Sequence, residues 1–148
     1  MPSTIHASAV LVGPRAILIR GPSGSGKSRL ALDLIAAAAG GRPRFARLVA
    51  DDRAEIEVAA SRLLVRPAAA LSGLVEVRGL GIRRLPYEPV AVVGLVVDLA
   101  AADAQRLPGP EQQQAVIAGV ALPRLAIAAE APALALVIAA LHLTEASV

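Results

Sequence analysis

Gly21-Pro22-Ser23-Gly24-Ser25-Gly26-Lys27-Ser28 follows the aliphatic run RAILIR at 15–20 and precedes a segment, 27–39, in which Leu30, Leu34, Ile35 and Ala38 recur at helical spacing. The octet fits the pattern G-x-x-x-x-G-K-[ST], and it sits where that pattern has physical meaning, between a predicted strand and a predicted helix. Its glycines let successive backbone N–H groups turn inward around phosphate oxygens, and the helix N-terminus adds its positive dipole end. Lys27 is then placed to reach the β and γ phosphates and Ser28 to offer a hydroxyl to Mg²⁺. The chain has 14 Arg and a single Lys, and that Lys occupies the motif position. A compact ammonium on a flexible stem serves there as a planar guanidinium would not. These residues imply an α/β domain that binds a nucleotide.

Working outward, 4–12 and 15–20 read as a hairpin joined at Gly13-Pro14, and Gly40-Gly41 ends the helix. Strands are predicted at 45–50, 55–59, 62–66 and 122–128. The Val-rich stretch 90–99 reads as a strand buried on both faces. Residues 111–119 are predicted as a short helix, and 132–143 as a closing helix with Pro132 near its first turn. The segment 74–84 is strand-like but broken by Gly79 and Gly81, and it reads as a bulged strand.

The 148 residues suit one domain. Of these, 33 are Ala, and Phe45 and Tyr87 are the only aromatics. The richest apolar stretch, 131–141, is too short to span a bilayer and contains Pro132, while Asp98 interrupts the Val-rich run. With no cysteine there are no disulfides or thiolate metal sites, and without a secretory signal pattern a soluble, cytoplasmic chain is expected. The net charge is +3 and Arg83-Arg84 is the only adjacent basic pair, so neither a nucleic-acid stripe nor a membrane partner is expected.

Asp51-Asp52 ends the predicted strand at 45–50, at the sheet edge where ligands of such folds bind. Adjacent residues in a strand point to opposite faces, so different duties follow: one carboxylate holds Mg²⁺ and the other accepts a proton from an incoming hydroxyl. Asp51 is read as the base and Asp52 as the metal ligand. His6, by itself, reads as a packed or surface histidine, and His142 as structural.

In this order the pieces resemble the catalytic domain of HPr kinase/phosphorylase, a bacterial enzyme that phosphorylates a serine of the phosphocarrier protein HPr. The resemblance rests on His6, the loop 21–28, Leu48-Val49-Ala50-Asp51-Asp52, and Glu76-Val77-Arg78-Gly79-Leu80-Gly81-Ile82, which is similar to the family signature E-I-R-G-L-G-I. It implies a single α/β domain with a central mixed sheet, of the phosphoenolpyruvate-carboxykinase-like nucleotide-binding kind. It also implies ATP and Mg²⁺ as cofactors, HPr as partner in regulating a phosphotransferase system, and a homo-oligomer, specifically a hexamer. Asp51 or Asp52 becomes the base for the target serine, assisted by His6, and Ser28 and Glu76 bind the metal. Arg106, in Ala104-Gln105-Arg106-Leu107-Pro108, matches a family segment whose Arg approaches the transferred phosphate.

Two departures stand out. The family's long members carry an N-terminal accessory domain, which is not expected here because the first catalytic strand begins near Met1, as in short alphaproteobacterial forms. Where the family reads approximately V-R-P-G-R-N, this chain has Ala128-Ala129-Glu130-Ala131-Pro132-Ala133. Without those arginines the reverse reaction, phosphorolysis of phosphoserine, is expected to be weak, with Arg124 the nearest substitute. The rival readings are a phosphate-loop kinase of small molecules and a nucleotide-binding regulatory module without turnover.

Overall fold

The computed structural model describes residues 2–143. In chain order its elements are β1 (Ser3–Ile5), β2 (Ala7–Val12), β3 (Arg15–Arg20), α1 (Lys27–Ala39), β4 (Ala46–Ala50), β5 (Ala54–Ala59) and β6 (Arg62–Pro67). They continue with β7 (Leu74–Val77), β8 (Gly81–Arg84), β9 (Ala91–Leu99), β10 (Gln114–Ile117), β11 (Val120–Ile127) and α2 (Ala133–His142). The mixed α/β domain expected from the sequence is built on one large sheet of order β1-β5-β6-β9-β3-β2-β4. β9 pairs with β6 at Ala91 and Val92 and with β11 from Val96 to Leu99, and β10 pairs with β11.

Strand periodicity divides the apolar side chains between two faces. Ile17 and Ile19 of β3 pack with Leu30 and Leu34 of α1 and Val137 of α2. Ala16 and Leu18 point the other way, toward Ile56, Leu63 and Val65, where the sheet curls over on itself. β9 is buried on both faces as expected, with Val97 on the helical side and Val93 and Val96 on the other. Ala7, Ala9, Ala16 and Ala54 are fully buried in the curled side, so part of the alanine content goes into bringing strands close together.

Three expectations need correction. The strand at 4–12 is divided at His6: Ser3–Ile5 leaves to pair with β5, and Ala7 onward pairs with β3 and β4. Residues 74–84 turn back on themselves, so that Glu76 lies opposite Ile82 in a separate two-stranded hairpin. The short helix at 111–119 is instead a 3-10 turn, Pro110–Gln113, followed by β10; the latter turns into β11 at Ala118 and Gly119, both at positive φ. Two-residue turns of that kind match the twist of a hairpin, and this one overrides the helical preference of the Gln-rich run before it.

Candidate active site

The direction of the strands assembles the site. β2 is antiparallel to both β3 and β4, so β3 and β4 run the same way, and β9 and β11 run parallel with β3. Four connections therefore leave at one edge: the phosphate loop after β3, Asp51-Asp52 after β4, the segment holding Arg106 after β9, and the turn holding Glu130 after β11. β2 begins at that same edge, which brings in His6 and Ser8.

The phosphate loop is tightly built. A Cβ on Gly21 would stand 2.5 Å from Ser25 Oγ and 3.2 Å from the Leu99 carbonyl oxygen, so a side chain there would displace the Ser25 hydroxyl and press on the end of β9. Gly26 takes φ of +100° and begins α1 with no side-chain cap, which leaves the first-turn N–H groups of the helix unspent. Lys27 is 6% exposed and its Nζ donates to the carbonyl oxygens of Gly21 and Pro22, at 2.9 and 3.3 Å, so the ammonium lies curled inside its own loop. Ser25 Oγ is buried and has no hydrogen-bond partner among the described residues. An orphaned hydroxyl, uncapped N–H groups and an ammonium held only by carbonyls form a donor-rich cradle that suits the phosphates of a nucleotide.

Asp51 and Asp52 occupy different environments, although they lie just past β4 in a bend and not in a strand whose alternation would separate them. Asp51, 7% exposed, accepts hydrogen bonds at Oδ1 from Ser28 Oγ (2.6 Å) and Ser8 Oγ (2.9 Å). Asp52, with its side chain 59% exposed, takes φ of +67° and pairs through Oδ1 with His6 Nε2. Its backbone N–H donates to Ser8 Oγ at 3.2 Å. The pair therefore sits in a turn just past β4, and that turn aims one carboxylate inward at the phosphate loop and the other outward to solvent.

The remaining site candidates are more loosely placed. Glu76 is exposed on β7, a strand packed near α1, and makes no side-chain hydrogen bond among the described residues. Arg78 of the same hairpin approaches the loop, with Nη2 at 4.0 Å from a Cβ built on Gly24. Arg106 is exposed in the segment after β9, and no hydrogen bond ties it to the phosphate loop.

Sequence reasoning missed Ser8 and also an ion network beside the loop. Arg20, the residue before Gly21, is bidentate to Asp98 at 2.7 and 2.9 Å. Arg124 donates to Asp98 at 2.6 Å, to Asp103 at 2.8 and 3.0 Å, and to the Gln112 carbonyl oxygen at 3.1 Å. Burial alone would raise the pKa of Asp98, but the hydrogen bonds and charges of Arg20 and Arg124 outweigh it and hold the carboxyl below its ordinary value. The hydrogen bonds from Arg124 likewise lower Asp103. The one signal in the sequence was an Asp standing inside a Val-rich strand.

The acidic groups fit Mg²⁺, which at phosphate-transfer sites takes hard oxygens from one or two carboxylates and leaves the rest of its shell to water and substrate phosphates. The Ser28 hydroxyl and the Asp51 carboxylate form such a pair. Among the described residues no group of three or more acidic, histidine or cysteine side chains encloses a metal without such outside ligands.

A profile of the HPr Serine kinase C-terminal domain matches residues 2–142. The HPr kinase/phosphorylase of Clostridium acetobutylicum is 43% identical over 82 residues, covering 55% of this chain and 25% of that protein. The HPr kinase/phosphorylase of Geobacillus thermodenitrificans is 36% identical over 137 residues, covering 84% of this chain and 42% of its own length. The chain thus spans less than half of these relatives. The solved structure of the Hpr(Ser) kinase/phosphatase from Coxiella burnetii has the same fold, with a TM-score of 0.75 at 24% identity over 94% of this chain and 93% of that one.

Proposed function

Since this chain belongs to the HPr serine kinase C-terminal domain family, we propose that it is an ATP-dependent protein-serine kinase that phosphorylates HPr. The observation that carries this reading is the division of labour between adjacent carboxylates: Asp51 faces the phosphate-loop hydroxyl of Ser28, and Asp52 faces solvent beside His6. A protein hydroxyl arriving from solution meets Asp52 first. In this reading Asp52 takes the serine proton while the His6 Nε2–H holds its carboxylate in place, and Asp51 with Ser28 holds the cation. This reverses the roles expected from the sequence.

Lys27 and the uncapped N–H groups of α1 neutralise charge on the transferred phosphoryl group, so that catalysis is mainly positioning and electrostatic stabilisation. A bound Mg²⁺ would offset the negative charge of the nucleotide phosphates. Ser28 and Asp51 would hold it, with Glu76 as a further carboxylate carried over from the family resemblance. On the same ground Arg106 is assigned to the transferred phosphoryl group. The reading includes a cytoplasmic protein assembled as a homo-oligomer, a hexamer by the same resemblance. No helix among the described residues is long and apolar enough to cross a membrane.

The test is mass spectrometry of HPr from the same organism after incubation with this protein, ATP and Mg²⁺. One phosphate on a serine of HPr is the expected product. A small-molecule kinase or a nucleotide-binding module without turnover would leave HPr unmodified.

A further inference from the structure

Ser8 is 0% exposed in β2, flanked by the equally buried Ala7 and Ala9. A hydroxyl placed there is costly unless both its donor and its acceptor capacity are used. Its single proton goes to Asp51 Oδ1 at 2.9 Å, and its oxygen accepts the N–H of Asp52 at 3.2 Å. One side chain on β2 thus grips both aspartates, one by its carboxylate and the other by its backbone. The second grip matters because Asp52 stands at φ of +67°, a left-handed conformation that a non-glycine residue keeps only when its surroundings hold it there.

We propose that Ser8 is a positioning residue, whose hydroxyl fixes the turn that sends Asp51 to the phosphate loop and Asp52 to His6. This rests on the reading that Asp51 serves the cation and Asp52 the proton. Without the hydroxyl, Asp51 keeps only Ser28 as a side-chain donor, the Asp52 N–H loses its partner, and the turn relaxes away from the geometry that pairs Asp52 with His6.

The test compares Ser8→Thr with Ser8→Val, two β-branched residues of nearly equal shape, either of which suits a strand and only one of which carries a hydroxyl. Turnover on HPr and the imidazole NMR signals of His6 are measured together; His142, at the far end of α2, is the internal control. Ser8→Val is expected to lower kcat about 100-fold with KM for ATP little changed, the size of effect that a misplaced catalytic group produces. Its His6 signals should move to those of an Asp52→Asn variant, while His142 stays put. Ser8→Thr should keep the wild-type His6 signals and most of the turnover. Wild-type kcat together with wild-type His6 signals in Ser8→Val would overturn the proposal. A wild-type protein that fails to phosphorylate HPr would overturn the kinase reading instead, and the His6 signals would still decide the role of Ser8.

Discussion

Ser28 Oγ donates to Asp51 Oδ1 across 2.6 Å, joining the last residue of the phosphate loop to the first of the two aspartates that follow β4. The contact separates two substitutions that look equivalent in the sequence. Asp51→Asn should weaken Mg²⁺-dependent nucleotide binding about 10–100-fold, as loss of a group that ligates or orients a metal ligand does. Asp52→Asn should leave that affinity unchanged and lower kcat about 10²–10⁴-fold, the range for a general base. Titration calorimetry with Mg²⁺ and a nucleotide, run beside the HPr assay, checks both; the opposite pattern would restore Asp51 as base.

Lys27 is curled against the carbonyl oxygens of Gly21 and Pro22, and nucleotide phosphates would have to draw it away from them. Lys27→Ala should therefore cut turnover about 10²–10³-fold, comparable to removing one donor to a developing negative charge. Its thermal unfolding temperature should stay close to wild type, because those two hydrogen bonds lie within one loop. Lys27→Arg should also be poor, since the planar fork is too wide for a nest built around a point charge. Wild-type-like turnover in either variant would remove the loop from the mechanism.

The parts of the site that could be read in the sequence are those whose chemistry is local. The loop 21–28 carries its proposed phosphate-binding role in its own spacing, and the α1 boundaries follow from Lys27 and Gly40. Ser8 could not be read, because a serine within ASAVLV looks like a solvent-facing position of a strand. Only the passage of the Asp51-Asp52 turn beside β2, from 43 and 44 residues away, shows what it touches. Asp98 was legible as an interruption but not as a hub, since its two arginines lie 78 and 26 positions away. The same holds for the proposed choice of Asp52 as base, which turns on His6 meeting Asp52 across 46 residues. The predicted helix at 111–119 fails for the opposite reason: Ala118 and Gly119, which fall inside it, form the two-residue bend of a hairpin.

Asp98 links the acid sensitivity of the fold to the strand that leads into the phosphate loop. Its folded pKa lies below the ordinary 3.8, so its contribution to stability is complete above the unfolded value and is lost as pH falls through 3.8 toward the folded one. Asp98→Asn should lower stability at pH 7 by about 2–3 kcal/mol, somewhat less than for a fully buried pair because Arg20 is partly exposed. The deficit should shrink steadily below about pH 4, as Asp98 of the unfolded wild-type chain takes up a proton that the folded state still excludes. Urea unfolding of both proteins between pH 3 and 7 measures this. A difference that stays constant across that range would mean that charge is not what the network contributes.

The reaction should run poorly in reverse. Phosphorolysis brings inorganic phosphate against a phosphoserine, and at an effective dielectric of about 20 each pair of unit like charges about 4 Å apart costs about 4 kcal/mol. Cations must offset that repulsion, and the turn between β11 and α2, from Ala128 to Pro132, has none. Arg124, the substitute expected from the sequence, is committed elsewhere. Its side chain is 13% exposed, and its charge together with that of Arg20 is balanced by the carboxylates of Asp98 and Asp103. Glu130 stands exposed in the same turn and adds negative charge at the edge where the phosphate loop lies. Serine-phosphorylated HPr incubated with the protein and millimolar phosphate should therefore release pyrophosphate far more slowly than the forward reaction consumes ATP. Glu130→Arg should raise that reverse rate, about tenfold for each 1.4 kcal/mol of repulsion removed, while leaving HPr phosphorylation nearly unchanged. Rapid pyrophosphate release by the wild-type protein would show that cations outside this turn do the work, and Arg106 and Arg78 would be the next substitutions to make.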